Sequence, residues 1–256
     1  MKLFAHSTIS RKYLIALLLT VSMGAFAGLL STRGLATGSG REIKKIIEQG
    51  WGYYLEFKDG KLDYVAVYYD SNTAAGVQAY AEAQRKENEQ FFQNGAKEVK
   101  GASIVFKRAL TWDEADAFVR AYGIYAAAYD FFGWPKDNPD DIYSMGIGVI
   151  RDGKTGLGFN DGSRASFDQR AKSIVGDVVV RGIGAMGVHL TREQYGAVSG
   201  DPDVYLVEMP AQIIKAKIQR GEISALKDVQ IDAVRLQVSG VVGPLYRNMV
   251  KTGIMK

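Results

Sequence analysis

Residues 148–155 spell G-x-x-x-x-G-K-T, the letter pattern of loops that bind nucleotide phosphates. That chemistry needs a strand, a loop whose backbone N–H groups surround the phosphates, and a helix that begins at the lysine. Here Asp152 would set a carboxylate against the phosphates, and two further glycines follow where the helix would begin. We therefore interpret residues 145–159 as a hairpin that turns at Asp152 and Gly153.

A second glycine motif, at residues 182–187, matches the G-x-G-x-x-G fingerprint of dinucleotide-binding sites. In that fingerprint the helix begins within the glycines, so that its N-terminus meets the pyrophosphate. The helix-start signal in this segment is Thr191, and fewer than 50 residues follow the acidic Glu208. These features predict a tightly packed strand that needs glycine, and we expect no cofactor.

Other catalytic and metal-binding arrangements cannot be assembled from the residue list. The chain has no cysteine and only two histidines, which excludes disulfides, thiolate zinc sites and cysteine nucleophiles. One acidic region could supply oxygen ligands to calcium, but its spacing fits no loop with ordered ligand positions. Its residues are Asp137, Asp140, Asp141, Asn160 and Asp161. We interpret this region as a solvated loop, and we predict no metal site, no catalytic residue and no enzyme.

The segment Gly52–Tyr69 alternates hydrophobic and polar residues around Asp59-Gly60, two residues that tolerate positive φ angles. This pattern predicts a β-hairpin with a tight turn. The predicted register pairs Lys58 with Lys61, Phe57 with Leu62, and Leu55 with Tyr64.

Aromatic residues are concentrated in this hairpin. They are Trp51, Tyr53, Tyr54, Phe57, Tyr64, Tyr68 and Tyr69. Cross-strand packing explains the face of residues 53, 55 and 57 without any ligand. Tyr54, Tyr68 and Tyr69 stay open as a sugar-stacking or protein-docking surface, and we treat them as candidate partner-binding residues.

The first 30 residues have the features of an export signal or a single membrane anchor. A basic start precedes Tyr13–Leu30, which has no charged residue, and a helix of about 17–25 apolar residues spans a bilayer. Small residues just before Gly28 suit cleavage by signal peptidase after Ala27. We predict that the rest of the chain works outside the cytoplasm, either secreted or anchored through residues 13–30.

The formal net charge of +4 does not indicate a nucleic-acid partner. The first 27 residues carry three basic residues and no acidic one, which leaves 29 basic and 28 acidic residues in the rest of the chain. A nearly neutral body with interspersed charges offers no basic footprint for a phosphate backbone. We therefore predict that the chain does not bind nucleic acid.

Two segments repeat a strand, a capped helix and a strand at an offset of 80 residues. Thr111 with Glu114, and Thr191 with Gln194, have the spacing of capping boxes. The four predicted strands are Ile104–Phe106, Ile124–Phe132, Val178–Val188 and Asp203–Met209. Two such units in series predict an α+β fold with a ferredoxin-like split βαβ core. In this core one antiparallel sheet packs two helices on a single face. We also predict that a hairpin is inserted in the core.

The remaining elements surround that core. We predict a helix over Ala74–Phe92 with a solvated polar stretch at Gln84–Gln90, a helix over Ala211–Gln219, a strand over Val229–Val238 and a brief tail. The predicted organisation is a signal or anchor at 1–30, a tether at 31–41, a hairpin-helix unit at 42–101, the core at 102–210 with an insertion at 133–176, and an extension at 211–256.

The segment Leu190–Glu208 reads L-T-x-x-Q-Y-x-x-V-x-x-D-P-x-V-x-x-V-E. It resembles the last helix and strand of subtilisin-type propeptide and inhibitor domains, and Ile104–Asp130 is more loosely similar to their first strand, helix and second strand. The resemblance implies the same split βαβ core. It also implies a chaperone and inhibitor that docks its sheet on a protease and lays the segment after its last strand into the active-site cleft. By resemblance, the cleft-binding residues are Glu208, Met209, Pro210, Ala211 and Gln212.

From these features we predict an exported or membrane-anchored, non-catalytic module that binds another protein. The first alternative is an inhibitor or folding chaperone of a subtilisin-type serine protease, and the second is an extracytoplasmic enzyme of unknown class. A docking module should expose an apolar patch on the first hairpin or on the open face of the sheet. An enzyme should show a polar pocket with a perturbed carboxylate.

Overall fold

The computed structural model describes residues 41–48, 51–69, 73–135, 143–148, 178–223, 226, 237–239 and 242–255. All of them belong to one compact unit, Gly40–Lys256. The predictions for the N-terminal signal and tether, the acidic loop and the lysine-containing part of residues 148–155 lie outside the described residues.

Nine strands and five helices occur in the described part of the chain. The strands are β1 (Arg41–Glu48), β2 (Trp51–Lys58), β3 (Lys61–Tyr69), β4 (Glu98–Leu110), β5 (Tyr125–Pro135), β6 (Tyr143–Gly148), β7 (Val178–Thr191), β8 (Val204–Glu208) and β9 (Gln237–Ser239). The helices are α1 (Ala74–Gln93), α2 (Trp112–Tyr122), α3 (Arg192–Ser199), α4 (Pro210–Gln219) and α5 (Val242–Lys251).

The strands form two sheets, and the fold is α+β as predicted. Strands β1, β2, β3 and β9 form a four-stranded sheet in that order, with β9 parallel to β3. The second sheet has five strands in the order β6-β5-β7-β4-β8, and every neighbouring pair is antiparallel.

The tight turn of the first hairpin is confirmed. Asp59 and Gly60 have φ angles of 51° and 75°, the positive values that a two-residue turn of this kind requires. The predicted pairs of Lys58 with Lys61 and of Phe57 with Leu62 are both present.

The third predicted pair in this hairpin is wrong. Leu55 pairs with Val65, and Tyr64 pairs with Glu56, because the register shifts between Glu56 and Phe57. A bulge of this kind inserts one extra residue into one strand. It brings Val65 into the core opposite Leu55, and both side chains are buried.

Helix α1 is confirmed in position, but its predicted solvated stretch is wrong. Thr73 caps the helix, since its side chain accepts a hydrogen bond from the backbone N–H of Gly76 at 3.2 Å. Gln84 and Asn88 are buried together with Val77, Tyr80 and Ala81. These five positions follow helical spacing, so the polar residues continue the inward face of the helix instead of leaving it.

Both predicted capping boxes are present. The Thr111 side chain accepts from the backbone N–H of Glu114, and the Glu114 carboxylate accepts from the backbone N–H of Thr111 at 2.7 Å. Thr191 and Gln194 repeat the arrangement at the start of α3. Each box satisfies backbone donors that have no partner within the helix.

The five-stranded sheet is covered on both faces. On the first face, Ile104 and Phe106 join one hydrophobic cluster with Val119 of α2 and Val198 of α3. On the second face, Val105 joins another cluster. That second cluster includes Leu55, Val65, Val77, Phe132, Ile214, Leu245 and Tyr246. The second face therefore packs against α1, α4, α5 and the four-stranded sheet.

The end of the chain differs from the predicted brief tail. Residues 242–251 form helix α5, whose Leu245, Tyr246 and Met249 are buried in the second cluster. Pro244 lies in the first turn, where a missing backbone N–H costs little. Among the described residues, none of the helices is long and apolar enough to cross a membrane.

The glycines of residues 182–187 lie inside β7, as the packed-strand interpretation predicted. A Cβ atom at Gly184 would collide with the rings of Phe132 and Tyr246, which stack with their planes 17° apart. Gly182 has a φ of 141°, and a Cβ there would collide with the backbone oxygen of Leu110. These two glycines are needed because the strand passes close to neighbouring groups.

Candidate functional site

The structure buries most of the predicted cleft-binding segment. Glu208 ends β8, Met209 follows it, and both side chains are 0% exposed. Pro210 is buried at the start of α4, and Ala211 and Gln212 are half-buried. To enter the cleft of a protease, Glu208 and Met209 would first have to leave the core.

Glu208 belongs to a buried polar cluster that joins α1 to β8. The Tyr80 hydroxyl donates a hydrogen bond to Oε1 of Glu208 at 2.5 Å. Burial and the neighbouring Glu208 raise the pKa of Tyr80 well above its usual value. Tyr80 therefore stays neutral and acts as a hydrogen-bond donor to the carboxylate.

The cluster continues toward α4 and the four-stranded sheet. Lys217 of α4 forms an ion pair with Glu87 of α1, and its Nζ lies 3.5 Å from the Tyr53 hydroxyl of β2. Glu87 and Lys217 are largely buried, and Tyr53 is fully buried. One set of side chains therefore connects both sheets and two helices.

This cluster serves packing better than catalysis. A cavity between Glu87 and Lys217 has a volume of about 10 Å³, which is about the room that one water molecule needs. A substrate could not reach Glu208 or Tyr80 through it. The sequence signal for the cluster was the helical spacing of Tyr80, Gln84, Glu87 and Asn88, of which we assigned Tyr80 to the apolar face and the other three to the solvated stretch Gln84–Gln90.

The other predicted partner-binding residues lie on the first hairpin. Tyr54 of β2 is half-buried, and the Nζ of Lys45 lies 5.5 Å from the centre of its ring. Tyr53 and Leu55 on either side of Tyr54 point into the core. Tyr54 therefore lies on the outer face of the four-stranded sheet.

Tyr68 and Tyr69 lie at the end of β3, where they pair with Gly52 and Trp51. The register places Tyr68 two residues beyond Ala66, which pairs with Tyr54, so Tyr54 and Tyr68 are positions on the same face of the sheet. Tyr69 is the next residue along β3, so its position belongs to the opposite face of the sheet. The three tyrosines thus do not share one face.

The outer face ends at the edge strand β1. The strand pairs with β2 on one side, and no described strand pairs with its other side. Residues 42–45 are exposed, and Ile43 is 50% exposed at the centre of this stretch. Three large hydrophobic side chains of the described residues are exposed, namely Ile43, Val179 and Val180.

A perturbed carboxylate lies on β5. Asp130 is half-buried, pairs with Ala185 of β7 and Gly146 of β6, and has a pKa that burial raises to about 6. The described residues contain no group of three metal-ligating side chains. Asp130 thus offers one proton-binding group on a sheet, without a nucleophile or second acid placed beside it by the described contacts.

A further concavity in the described part of the chain lies away from this cluster. A shallow groove of about 760 Å³ runs between residues 95–98 and residues 191–193. It is open to solvent and contains none of the predicted site residues. Comparisons of the chain with protein-family models, with curated proteins and with solved structures find no match.

Proposed function

We propose that the five-stranded sheet with α2 and α3 is a ferredoxin-like core. Without β6, the strand order is β5-β7-β4-β8, in which β4 and β7 are central and all pairs are antiparallel. Helix α2 connects β4 to β5, and α3 connects β7 to β8. Two strand–helix–strand units joined in this order form the split βαβ arrangement.

The covered second face argues against docking in the manner of a propeptide. Such a domain uses the sheet face opposite its two helices to dock on a protease. In this chain Phe132 and Tyr246 stack on that face, and Leu206 packs there with Ile214. A protease could reach the face only if α4 and α5 moved away.

We propose instead that the chain is an exported or membrane-anchored, non-catalytic module that binds another protein through β1. The observation that carries this proposal is that no described strand pairs with the outer side of β1, where Ile43 is 50% exposed between the exposed residues Glu42 and Lys44. An edge strand can add a strand from a partner, with backbone hydrogen bonds for affinity and alternate side chains for specificity. By sequence, β1 directly follows the predicted tether.

A photo-crosslinking residue at position 43 tests this proposal in the full chain, expressed in the cells that normally make it. We expect a covalent adduct of the chain with a second protein after irradiation, because the probe would lie inside the strand-addition interface. The matched control carries the same probe at Asp63, which is exposed on β3 of the same sheet. Equal labelling at both positions, or none at position 43, would contradict docking at β1.

The alternative function, inhibition of a subtilisin-type protease, is favoured by the strand order and by the capped α3 that precedes β8. Titration of the purified chain against several such proteases, followed by mass analysis, separates the two functions. Stoichiometric inhibition by an intact chain would support the inhibitor and argue against β1 as the main docking edge. Rapid digestion of the chain without inhibition would exclude the inhibitor function for those proteases.

A further inference from the structure

The second face of the five-stranded sheet carries a row of very small side chains, which we call the small-residue strip. Its residues are Gly148 of β6, Ala128 of β5, Gly187 of β7 and Ser103 of β4, each paired with the next. Neighbouring strands lie about 4.8 Å apart, so the strip runs about 14 Å across the sheet. Ser103 lies two residues before Val105 of the second cluster, which places the strip on that face.

The elements that cover this face leave the small-residue strip partly open. Ser103, Ala128 and Gly187 are half-buried, whereas Val105 and Ala185 in the next row are fully buried. The three heavy atoms nearest to a Cβ added at Gly187 all belong to Ala128, the closest of them at 3.5 Å. No atom of a covering helix is as close, so there is room above the strip.

Two stacked aromatic pairs lie on either side of the strip along the strands. The rings of Tyr125 and His189 have centres 4.5 Å apart and planes at 13°, and His189 is two residues beyond Gly187 on β7. On the other side, Phe132 of β5 stacks on Tyr246 of α5. The two pairs are therefore the walls of a trough whose floor contains the small-residue strip.

One carboxylate belongs to the floor of this trough. Asp130 is two residues beyond Ala128 and pairs with Ala185, whose side chain belongs to the second cluster. Its carboxylate makes no hydrogen bond or ion pair with the described residues, and burial raises its pKa to about 6. A carboxylate that is withdrawn from water in this way normally has a cation or a hydrogen-bond donor beside it.

The basic side chains of β7 are too distant to serve as that partner. Arg181 and His189 are each four residues from Ala185, about 13 Å along the strand in opposite directions. The Arg181 guanidinium lies 4.9 Å from the centre of the Trp134 ring, and His189 stacks on Tyr125. A positive group that enters the trough would therefore meet Asp130 without a competing cation from β7.

We infer that the trough binds an organic amine, whose ammonium group bonds to Asp130 and whose apolar carbons lie on Ala128 and Gly187. A carboxylate accepts strong hydrogen bonds from an ammonium group, and aromatic rings attract cations. A concave, mostly apolar surface with one well-placed polar group is the usual form of a small-molecule site. The inference does not depend on docking at β1.

A metal ion fits this trough less well than an amine. Asp130 is one carboxylate among small apolar residues, and the described residues contain no group of three metal-ligating side chains. Cations such as calcium take six to eight oxygen ligands. An organic amine needs one carboxylate for its charge and uses the apolar floor for its carbon chain.

The experiment titrates the isotopically labelled full chain with three probes of equal length, namely n-butylammonium, 1-butanol and butyrate, at constant ionic strength. We expect n-butylammonium to shift the amide NMR signals of Ala128 and Gly187 saturably. It should also lower the pKa of Asp130, followed through its carboxyl carbon, because a bound cation favours the charged form. Binding of 1-butanol should be at least about tenfold weaker, and butyrate should not bind.

Two substitutions separate the charge from the shape of the site. Asp130→Asn should abolish binding of n-butylammonium, whereas Asp63→Asn, at an exposed position of the other sheet, should leave it unchanged. Gly187→Val keeps the carboxylate but fills the floor, so it should also abolish binding. Circular dichroism checks that each variant is folded, and Ala128→Val replaces Gly187→Val if that variant unfolds.

Several outcomes would overturn the inference. One is equal affinity for n-butylammonium and 1-butanol, which would indicate an apolar surface in which Asp130 has no role. Unchanged binding in a folded Asp130→Asn or Gly187→Val chain would place the amine elsewhere. Signal shifts that do not saturate, or a pKa of Asp130 that n-butylammonium leaves unchanged, would show that no amine is bound at this carboxylate.

Discussion

At the scale of single residues, the most consequential contact is the hydrogen bond from Tyr80 to the buried Glu208. Tyr80→Phe removes the donor and leaves a carboxylate in the core with one fewer partner. We expect the free energy of unfolding to fall by about 2–3 kcal/mol. Urea denaturation at neutral pH measures this change.

The control for this substitution is Tyr122→Phe. It removes a hydrogen bond of similar length, 2.6 Å from the Tyr122 hydroxyl to Asp201, but at a half-buried position where water can replace the lost partner. We expect a smaller loss, about 1 kcal/mol. Equal losses for the two variants would show that Glu208 does not depend on Tyr80.

Asp130 should make stability depend on pH. Burial raises its pKa from 3.8 in the unfolded chain to about 6 in the folded protein, so the folded state binds the proton more tightly. Its contribution to stability is therefore full below pH 4 and is lost as the pH rises through 6. Asp130→Asn should flatten this dependence and stabilise the protein at pH 7 by up to about 3 kcal/mol.

Unfolding measured at pH 4 and pH 7 tests the Asp130 prediction, with Asp63→Asn as an exposed control on the four-stranded sheet. The control substitution should leave the stability at pH 7 unchanged, because Asp63 is exposed. A pH dependence that is the same in Asp130→Asn and in the unchanged chain would contradict the assignment.

At the scale of elements, the close packing of β7 against the rings of Phe132 and Tyr246 depends on Gly184. Gly184→Ala would drive a methyl group into the rings of Phe132 and Tyr246, and we expect a loss of at least about 1–3 kcal/mol in the free energy of unfolding. The matched control is Gly196→Ala in α3, where a Cβ meets nothing within 4 Å. Because alanine is the better helix former, it should stabilise by about 0.5–1 kcal/mol.

Thermal melting measures both effects: we expect the Tm to fall in Gly184→Ala and to rise in Gly196→Ala. A neutral effect of Gly184→Ala would mean that α5 does not hold Tyr246 against the sheet. Such a result would also reopen the second face of the sheet to a docking partner.

The elements that the sequence predicted correctly are those with local causes. The capping boxes at Thr111 and Thr191 depend on side chains three residues apart, and the turn at Asp59-Gly60 depends on two residues that tolerate positive φ. Such causes act within one turn or one hairpin, so one sequence reveals them.

The elements that the sequence missed have distant causes. The bulge in β3, where Asp63 is left between the partners of Glu56 and Phe57, places Val65 in a core that α1 and α5 share. Gln84 and Asn88 face inward, where Asn88 bonds to β8. Strand β1 is rich in charge, as edge strands often are, and this composition conceals it as a strand in the sequence. Helix α5 was missed as well, although its Pro244 suits the first turn of a helix.

The same distinction between local and distant causes applies to the residues of the candidate site. The resemblance singled out Glu208 as a cleft-binding residue, whereas the structure buries it with the Tyr80 hydroxyl of α1 as a hydrogen-bond partner. The sequence did not single out Ile43, since an exposed hydrophobic residue has no distinct local pattern. Whether a strand lies at an edge depends on which other strands pair with it, so the position of β1 is known only once the fold is known.

At the scale of the whole molecule, the two sheets and the helices between them share one core. The second cluster draws side chains from both sheets, and Lys217 links Glu87 to Tyr53 across three elements. Side chains of α1 donate to backbone oxygens of β8, whereas the outer side of β1 has no partner among the described strands. We propose this side of β1 as the docking edge for a partner strand.

Hydrogen exchange of the chain with and without its crosslinked partner tests this central claim most directly. Strand addition should slow the exchange of backbone amides within Arg41–Glu48, because the outward N–H groups of β1 would gain carbonyl partners. Amides of β8 should be unchanged. Slowed exchange on the face of the five-stranded sheet, with β1 unaffected, would contradict docking at β1 and favour the alternative, inhibition of a protease.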